Sequence, residues 1–166
     1  MSYFENINTQ GYGEAVECAS TRPNDVLAYA TNDVIGTIAA SNMEFVNVVP
    51  SARSVIITGA YMRIKTASVP TGMGNFRLHL YNAAPTPIAD NVAFTVIDAD
   101  RSKYLGYILL YLPEKIGDNL LWTQVENINM ERYLPSTSIF AVLQTLSGYT
   151  PTANGVKEIG LCVLGR

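Results

Sequence analysis

The sequence predicts an all-β fold, an antiparallel sandwich or barrel, on three observations. Apolar and polar residues alternate with a period of two in several short runs. Turn residues recur between those runs at short, fairly even spacing, and helix signals are weak.

In chain order, residues 1–14 mix Tyr3, Phe4 and Tyr12 with Asn, Gln and Gly and show no period. They read as an extended N-terminal arm, with Tyr3, Phe4 and Tyr12 its candidate protein contacts, and residues 15–166 read as one β-sandwich domain. β signals dominate from Ala15, and short strands are expected at 27–30, 34–38 and 45–49. The clearest strand is 53–66, RSVIITGAYMRIKT. Ile56, Ala60, Met62 and Ile64 share one parity there, while Val55, Ile57 and Tyr61 share the other, so its first half reads as buried on both faces.

At 76–81, Phe76, Leu78 and Leu80 alternate with Arg77, His79 and Tyr81, the pattern of a half-exposed strand. Further strands are expected at 104–112, 120–126, 138–145 and 157–164. Between the runs sit Arg22-Pro23-Asn24-Asp25, Val49-Pro50-Ser51, Pro70-Thr71-Gly72, Pro113-Glu114, Gly117-Asp118-Asn119, Pro135-Ser136 and Asn154-Gly155. Single helical turns are expected only near 113–116 and 129–133. Ile56, Met62, Ile64, Leu78, Leu80, Leu161 and Val163 are the expected core.

A chain of 166 residues buries about 70% of its unfolded surface and needs no disulfide or metal to be stable. The net charge of −3, with Lys and Arg scattered singly, argues against a nucleic-acid partner. Only 15% of residues are charged while 48% are apolar. Either part of the surface is covered by another chain, or a large core sits beneath Ser, Thr and Asn. Cys18 and Cys162 read as free thiols of a reducing compartment; they pair only if the first and last strands are neighbours, which spacing does not show. MSYFENINTQ lacks the basic region and apolar core of a signal peptide, and no apolar run approaches the ~18 residues of a membrane span. The expectation is a chain made in the cytoplasm, with no membrane partner.

Candidate chemistry is sparse, and the chain reads as a non-enzyme. His79, the one histidine, falls on the polar face of its strand and reads as a surface or subunit-contact residue, without the partner a catalytic base needs. One histidine and two distant cysteines do not make a zinc site. Asp90, Asp98 and Asp100 invite a test for a hard cation, but Arg101 and Lys103 stand where a calcium loop needs oxygen ligands, so an Asp-stabilised turn is expected and no cofactor or metal. Gly72-Met73-Gly74 lacks the strand-to-helix setting of a phosphate loop and reads as a flexible hairpin tip. Ten tyrosines include Tyr104, Tyr107 and Tyr111, with Trp122 soon after. They read as core or protein contact, or alternatively as a sugar platform.

The segment Ala28-Tyr29-Ala30-Thr31-Asn32-Asp33-Val34-Ile35-Gly36, the strand 55–63, Leu78–Leu80, Ala84-Pro85-Thr86, Asp90-Asn91, Ala93-Phe94, 98–100 and Tyr104-Leu105-Gly106 together resemble small structural proteins of tailed bacteriophages and prophages. Some members of that family look like capsid decoration, or cement, proteins. The resemblance covers about 27–107. It implies a jelly-roll β-sandwich, a virion location on the capsid surface, and as partners the major capsid protein and sister subunits in a homo-oligomer. The alternative it leaves open is a tail- or fibre-associated module that binds a host-surface glycan through 104–122.

Overall fold

The computed structural model describes residues 13–37 and 42–165. In chain order the strands are β1 (Gly13–Thr21), β2 (Val34–Ile35), β3 (Met43–Phe45), β4 (Arg53–Ile64), β5 (Phe76–Tyr81), β6 (Tyr104–Leu110), β7 (Glu114–Gly117), β8 (Leu120–Leu134), β9 (Ile139–Thr145) and β10 (Val156–Gly165). A short 3-10 helix, Asp98–Lys103, precedes β6.

One sheet has the order β1-β10-β4-β8-β7, the other β2-β9-β5-β6, with β3 also on β9. Every pairing is antiparallel, and one set of pairs nests. β5 pairs with β6, β4 with β8, β2 and β3 with β9, and β1 with β10. This is one long hairpin rolled into two layers, the jelly-roll form of a β-sandwich.

The two inner faces make the core. Val55, Ile57, Ala60, Met62 and Ile64 of β4 with Ile159, Leu161 and Val163 of β10 meet Phe76, Leu78 and Leu80 of β5 with Ile139, Ala141 and Leu143 of β9. Each large side chain removed from water here contributes about 1.5–3 kcal/mol. Six of the seven expected core residues are buried.

Ile56 is the exception, for a local reason. The β4–β8 register shifts between Ile57 and Gly59, and the β10 register shifts beside it between Cys162 and Val163. An extra residue reverses which parity faces inward. Val55 and Ile57 therefore point into the core, and Ile56 faces outward opposite Leu164. The Thr58 hydroxyl secures the bulge by donating to the Cys162 carbonyl at 3.1 Å.

Other elements also depart from the sequence reading. The turn expected at 129–133 lies within β8, where Asn127 and Asn129 take left-handed φ of 59° and 51° and carry the extra residues opposite the β4 bulge. Asparagine tolerates that conformation better than most residues, so the strand runs on through what reads as a break. The turn expected at 113–116 is the edge strand β7, hydrogen-bonded to β8. The expected strand 27–30 is a single bridge between Tyr29 and Tyr149, and 45–49 yields only the end of β3 before a turn at Asn47. Gly72 lies in no hairpin: its backbone packs so closely on the Gly148 carbonyl that a Cβ would come within 2.5 Å.

The first and last strands are neighbours, yet their cysteines do not meet. Cys18 stands opposite Ile159 and Cys162 opposite Ala15, an odd offset that puts the thiols on opposite faces of the sheet. Burial, with Glu17 adding to it, pushes the Cys18 thiol up to about 12.

Candidate functional site

Tyr3, Phe4 and Tyr12, the contacts expected from the arm, lie outside the described residues, whereas Gly13 and Glu14 stand in β1.

The structure corrects the surface position expected of His79. Arg77, His79 and Tyr81 do point away from the core, but the segment between β5 and β6 folds back across that face. Ile88, Phe94 and Tyr104 pack with Val34, Tyr81, Val142 and Phe140 as a second apolar layer. Backbone bonds hold the cover down: Val34 N–H donates to Val92 O at 2.8 Å, Asn91 N–H to Val34 O at 3.0 Å and Phe94 N–H to Asn32 O at 2.8 Å. His79 is consequently 4% exposed. Its Nε2 lies 3.0 Å from Gln144 Oε1, and its Nδ1 2.9 Å from Tyr104 Oη. A carbonyl oxygen only accepts, so Nε2 carries the proton and Nδ1 accepts from the tyrosine hydroxyl. Burial pulls the pKa of His79 down to about 4, and the ring is neutral at pH 7.

The acidic residues serve the cover as well. Asp100 is buried and accepts from Thr86 N–H at 2.8 Å and from Lys103 Nζ at 2.8 Å, which hold its carboxyl below the usual range. Asp98 is exposed beside Arg101 at 3.1 Å. Among the described residues no three His, Cys, Asp or Glu side chains gather as a metal site.

Asp90 belongs to a different cluster, at the end of the sandwich where β1 stops. The Arg22 side chain is fully buried there. Its Nε donates to Tyr29 Oη at 2.9 Å, one Nη2 bond runs to Leu27 O at 2.8 Å, and Asp25 Oδ1 lies 2.7 Å away. Asp90 Oδ2 stands 3.7 Å from Arg22 Nε, while Asp90 Oδ1 accepts from Tyr29 O–H at 2.7 Å and Gly36 N–H at 2.8 Å. Arg22-Pro23-Asn24-Asp25 reads in sequence as a turn, and a turn is what Arg22 organises. Its burial depends on residues more than sixty positions away, and no local pattern reports them.

The aromatic segment 104–122 divides between the two sheets. Tyr107 lies on the outer face of the second sheet, where the Arg77 guanidinium sits 5.0 Å from its ring centre. Trp122 lies on the outer face of the first, stacked on Tyr61 at 5.1 Å and 14°. No single groove collects Tyr104, Tyr107 and Trp122.

One edge of the sandwich is open and carries exposed apolar side chains beside Glu114 and Lys115. β6 ends the second sheet, β7 ends the first, and they follow one another in the chain. Tyr107, Tyr111, Leu112 and Ile116, borne on these strands and the link between them, are 48%, 58%, 43% and 60% exposed. Arg132, reaching across from β8, donates from Nε to the Leu105 carbonyl at 2.7 Å and occupies part of the free β6 edge. A capped edge limits uncontrolled strand pairing while leaving the side chains available for contact.

No protein-family model matches this chain, and no curated protein matches it in sequence. Among solved structures it is similar to the decameric BFDV capsid protein, with 9% identity and a TM-score of 0.40 over 93% of this chain and 99% of that one. It is also similar to the cyanophage Pam1 capsid, at 9% identity and a TM-score of 0.37 over 94% of this chain and 86% of that one. A third likeness is to the K3 cleaved adhesin domain of Lys-gingipain from Porphyromonas gingivalis, at 6% identity and a TM-score of 0.28 over 75% and 63%. These span shell proteins and a bacterial adhesin, and likeness at this level carries no assignment of function.

Proposed function

We propose that this chain is a bacteriophage virion structural protein that binds the outside of the assembled capsid as a homo-oligomer and stabilises it. The observation that carries the reading is the open side of the sandwich, where two successive edge strands present Tyr107, Tyr111, Leu112 and Ile116 to solvent. Exposed large apolar side chains on a chain with so few charges are what a covered surface needs. The residue pattern over 27–107 that resembles phage virion proteins supplies the class of partner: major capsid protein and sister subunits.

The mechanism is mass action. Sites that exist only on the assembled lattice stabilise that lattice over its dissociated form, and many modest contacts sum across the shell. The N-terminal arm, with Tyr3, Phe4 and Tyr12, is proposed as a second attachment element that adds its backbone to a neighbouring chain. Tyr107 and Trp122 lie on the outer faces of different sheets, which favours this reading over a glycan platform spanning 104–122.

The test is cosedimentation with purified capsids of the phage that encodes the chain, followed by electron microscopy of the particles. Wild-type protein is expected to pellet with capsids and to occupy regular outer positions, and Tyr111→Glu with Ile116→Lys to reduce binding at least tenfold. Protein found only on the tail, or binding unaltered by both substitutions, overturns the reading.

A further inference from the structure

Lys157 is the second residue of β10 and, at the parity of Ile159, Leu161 and Val163, points into the end of the sandwich, where it is 3% exposed. Beside it lies a cavity of about 20 Å³ whose lining includes Ile64, Met73, Tyr149, Pro151, Gly155 and Lys157. Tyr149 is itself 4% exposed, and its Oη is buried with no hydrogen-bond partner among the described residues. Its ring is fixed by contacts with Tyr29 at 5.3 Å and Phe76 at 6.1 Å, so the hydroxyl does not swing out to water.

We infer that this cavity binds one small monovalent anion of the size of chloride, held by the Lys157 ammonium and the Tyr149 hydroxyl. The lining also holds Lys65, Thr66 and Thr152, and its two buried polar side chains, Lys157 and Tyr149, are both donors. Burial holds the Tyr149 pKa far above its ordinary value, so the phenol keeps its proton and has it to give. The nearby carboxylates are committed elsewhere: Asp25 lies 2.7 Å from Arg22, and Asp90 serves Tyr29, Gly36 and Arg22. Among the described residues no carboxylate stands within ion-pair distance of Lys157.

A buried ammonium is costly, and burial pulls Lys157 down to about 8, while Asp90, beyond ion-pair distance, opposes that shift only in part. An anion in the cavity supplies the missing charge and satisfies the orphaned hydroxyl at once. Size sets the ligand class. About 10–15 Å³ admits a single water-sized particle, so this cavity takes a halide and excludes sulfate, phosphate or a sugar acid.

The experiment uses the full chain and two halides. Crystals soaked in sodium bromide are expected to show an anomalous peak within hydrogen-bond distance of Lys157 Nζ and Tyr149 Oη. In solution, the Tm in sodium chloride relative to sodium sulfate at equal ionic strength is expected to be about 2–4 °C more favourable in wild type than in Lys157→Met, a comparison that cancels the general stabilisation by sulfate. Tyr149→Phe should fall between the two. A site showing ordered water only overturns the inference. So does a chloride-to-sulfate difference that is the same in Lys157→Met as in wild type. A bromide peak with no chloride effect in solution means binding at crystal concentration only, and also overturns it.

Discussion

The His79 ring lies flat on the Phe94 ring, with 3.7 Å between centroids and 16° between planes. One ring belongs to the central strand of the second sheet and the other to the segment that covers it. The contact couples the protonation of a single imidazole to the seating of the cover, since a charged ring there loses its solvation and repels Arg77.

The first prediction follows from that coupling. The folded pKa of His79 is about 4, below the ordinary 6.5, so between these values the unfolded chain binds a proton that the native chain refuses. Stability is therefore full above pH 6.5 and declines as pH falls toward 4, by on the order of 3 kcal/mol at ~1.4 kcal/mol per pH decade. Urea unfolding at pH 7 and pH 4.5 should show this slope in wild type and its loss in His79→Gln. Equal slopes in both would assign the acid sensitivity to other groups.

A second prediction concerns the buried Arg22–Asp90 pair. Asp90→Ala leaves Arg22 with Asp25 as its remaining counter-ion but strips the acceptor from Tyr29 O–H and Gly36 N–H, so a loss of about 1–3 kcal/mol is expected in urea unfolding. The double variant Arg22→Met with Asp90→Leu should lose less than the Arg22→Met and Asp90→Leu single losses summed, because the interaction between the two side chains is then removed once. Strictly additive single losses would contradict the pairing.

The third prediction uses the outer face of the first sheet. Gly160 faces Tyr61 across β10 and β4, and a Cβ there would run into the Tyr61 ring. Gly160→Ala must push the ring aside, away from its stack on Trp122 and its bond to Glu17. A loss of about 1–3 kcal/mol is expected, smaller in a Tyr61→Ala background. Trp122 is the only tryptophan, so its fluorescence should shift with the ring. An unchanged emission spectrum would mean that the backbone, rather than Tyr61, absorbs the new methyl group.

The fourth prediction tests the proposed arm. Deleting residues 2–12 leaves β1 whole, since it begins at Gly13. Thermal unfolding should then stay close to wild type while capsid binding weakens. Each fully buried ring is worth about 1.5–3 kcal/mol, so losing Tyr3, Phe4 and Tyr12 should lower affinity by at least tenfold. Undiminished decoration by the truncated chain would place attachment on the sandwich alone.

The sequence carries this fold wherever local pattern decides it. β5 is bounded by Phe76 and Tyr81 as the alternation predicts, and β4 begins at Arg53 as expected. What escaped local reading has non-local causes. His79 looks solvent-facing because its neighbours Arg77 and Tyr81 are amphipathic, and the segment burying it arrives from later in the chain. Ile56 has the right period and the wrong face because a bulge beyond it resets the parity. Arg22 reads only as the start of a turn and Lys157 only as the start of a strand, and the rolled topology brings them beside Asp90 and Tyr149.

That topology also sets an order of assembly during synthesis. Of the nested pairs, only β5 with β6 is separated by a modest span of chain, whereas β1 waits for β10, roughly 130 residues downstream. At about 5–20 residues per second, β1 emerges on the order of ten seconds before its partner exists. Closing so long a loop is also slow once both strands are present. The nascent chain therefore spends most of its birth as an unfinished roll, with the sheet edge that β10 will fill standing empty. Loss of the last strand removes the shared neighbour of β1 and β4 together, so a chain cut short before Val156 fails as a whole rather than by degrees.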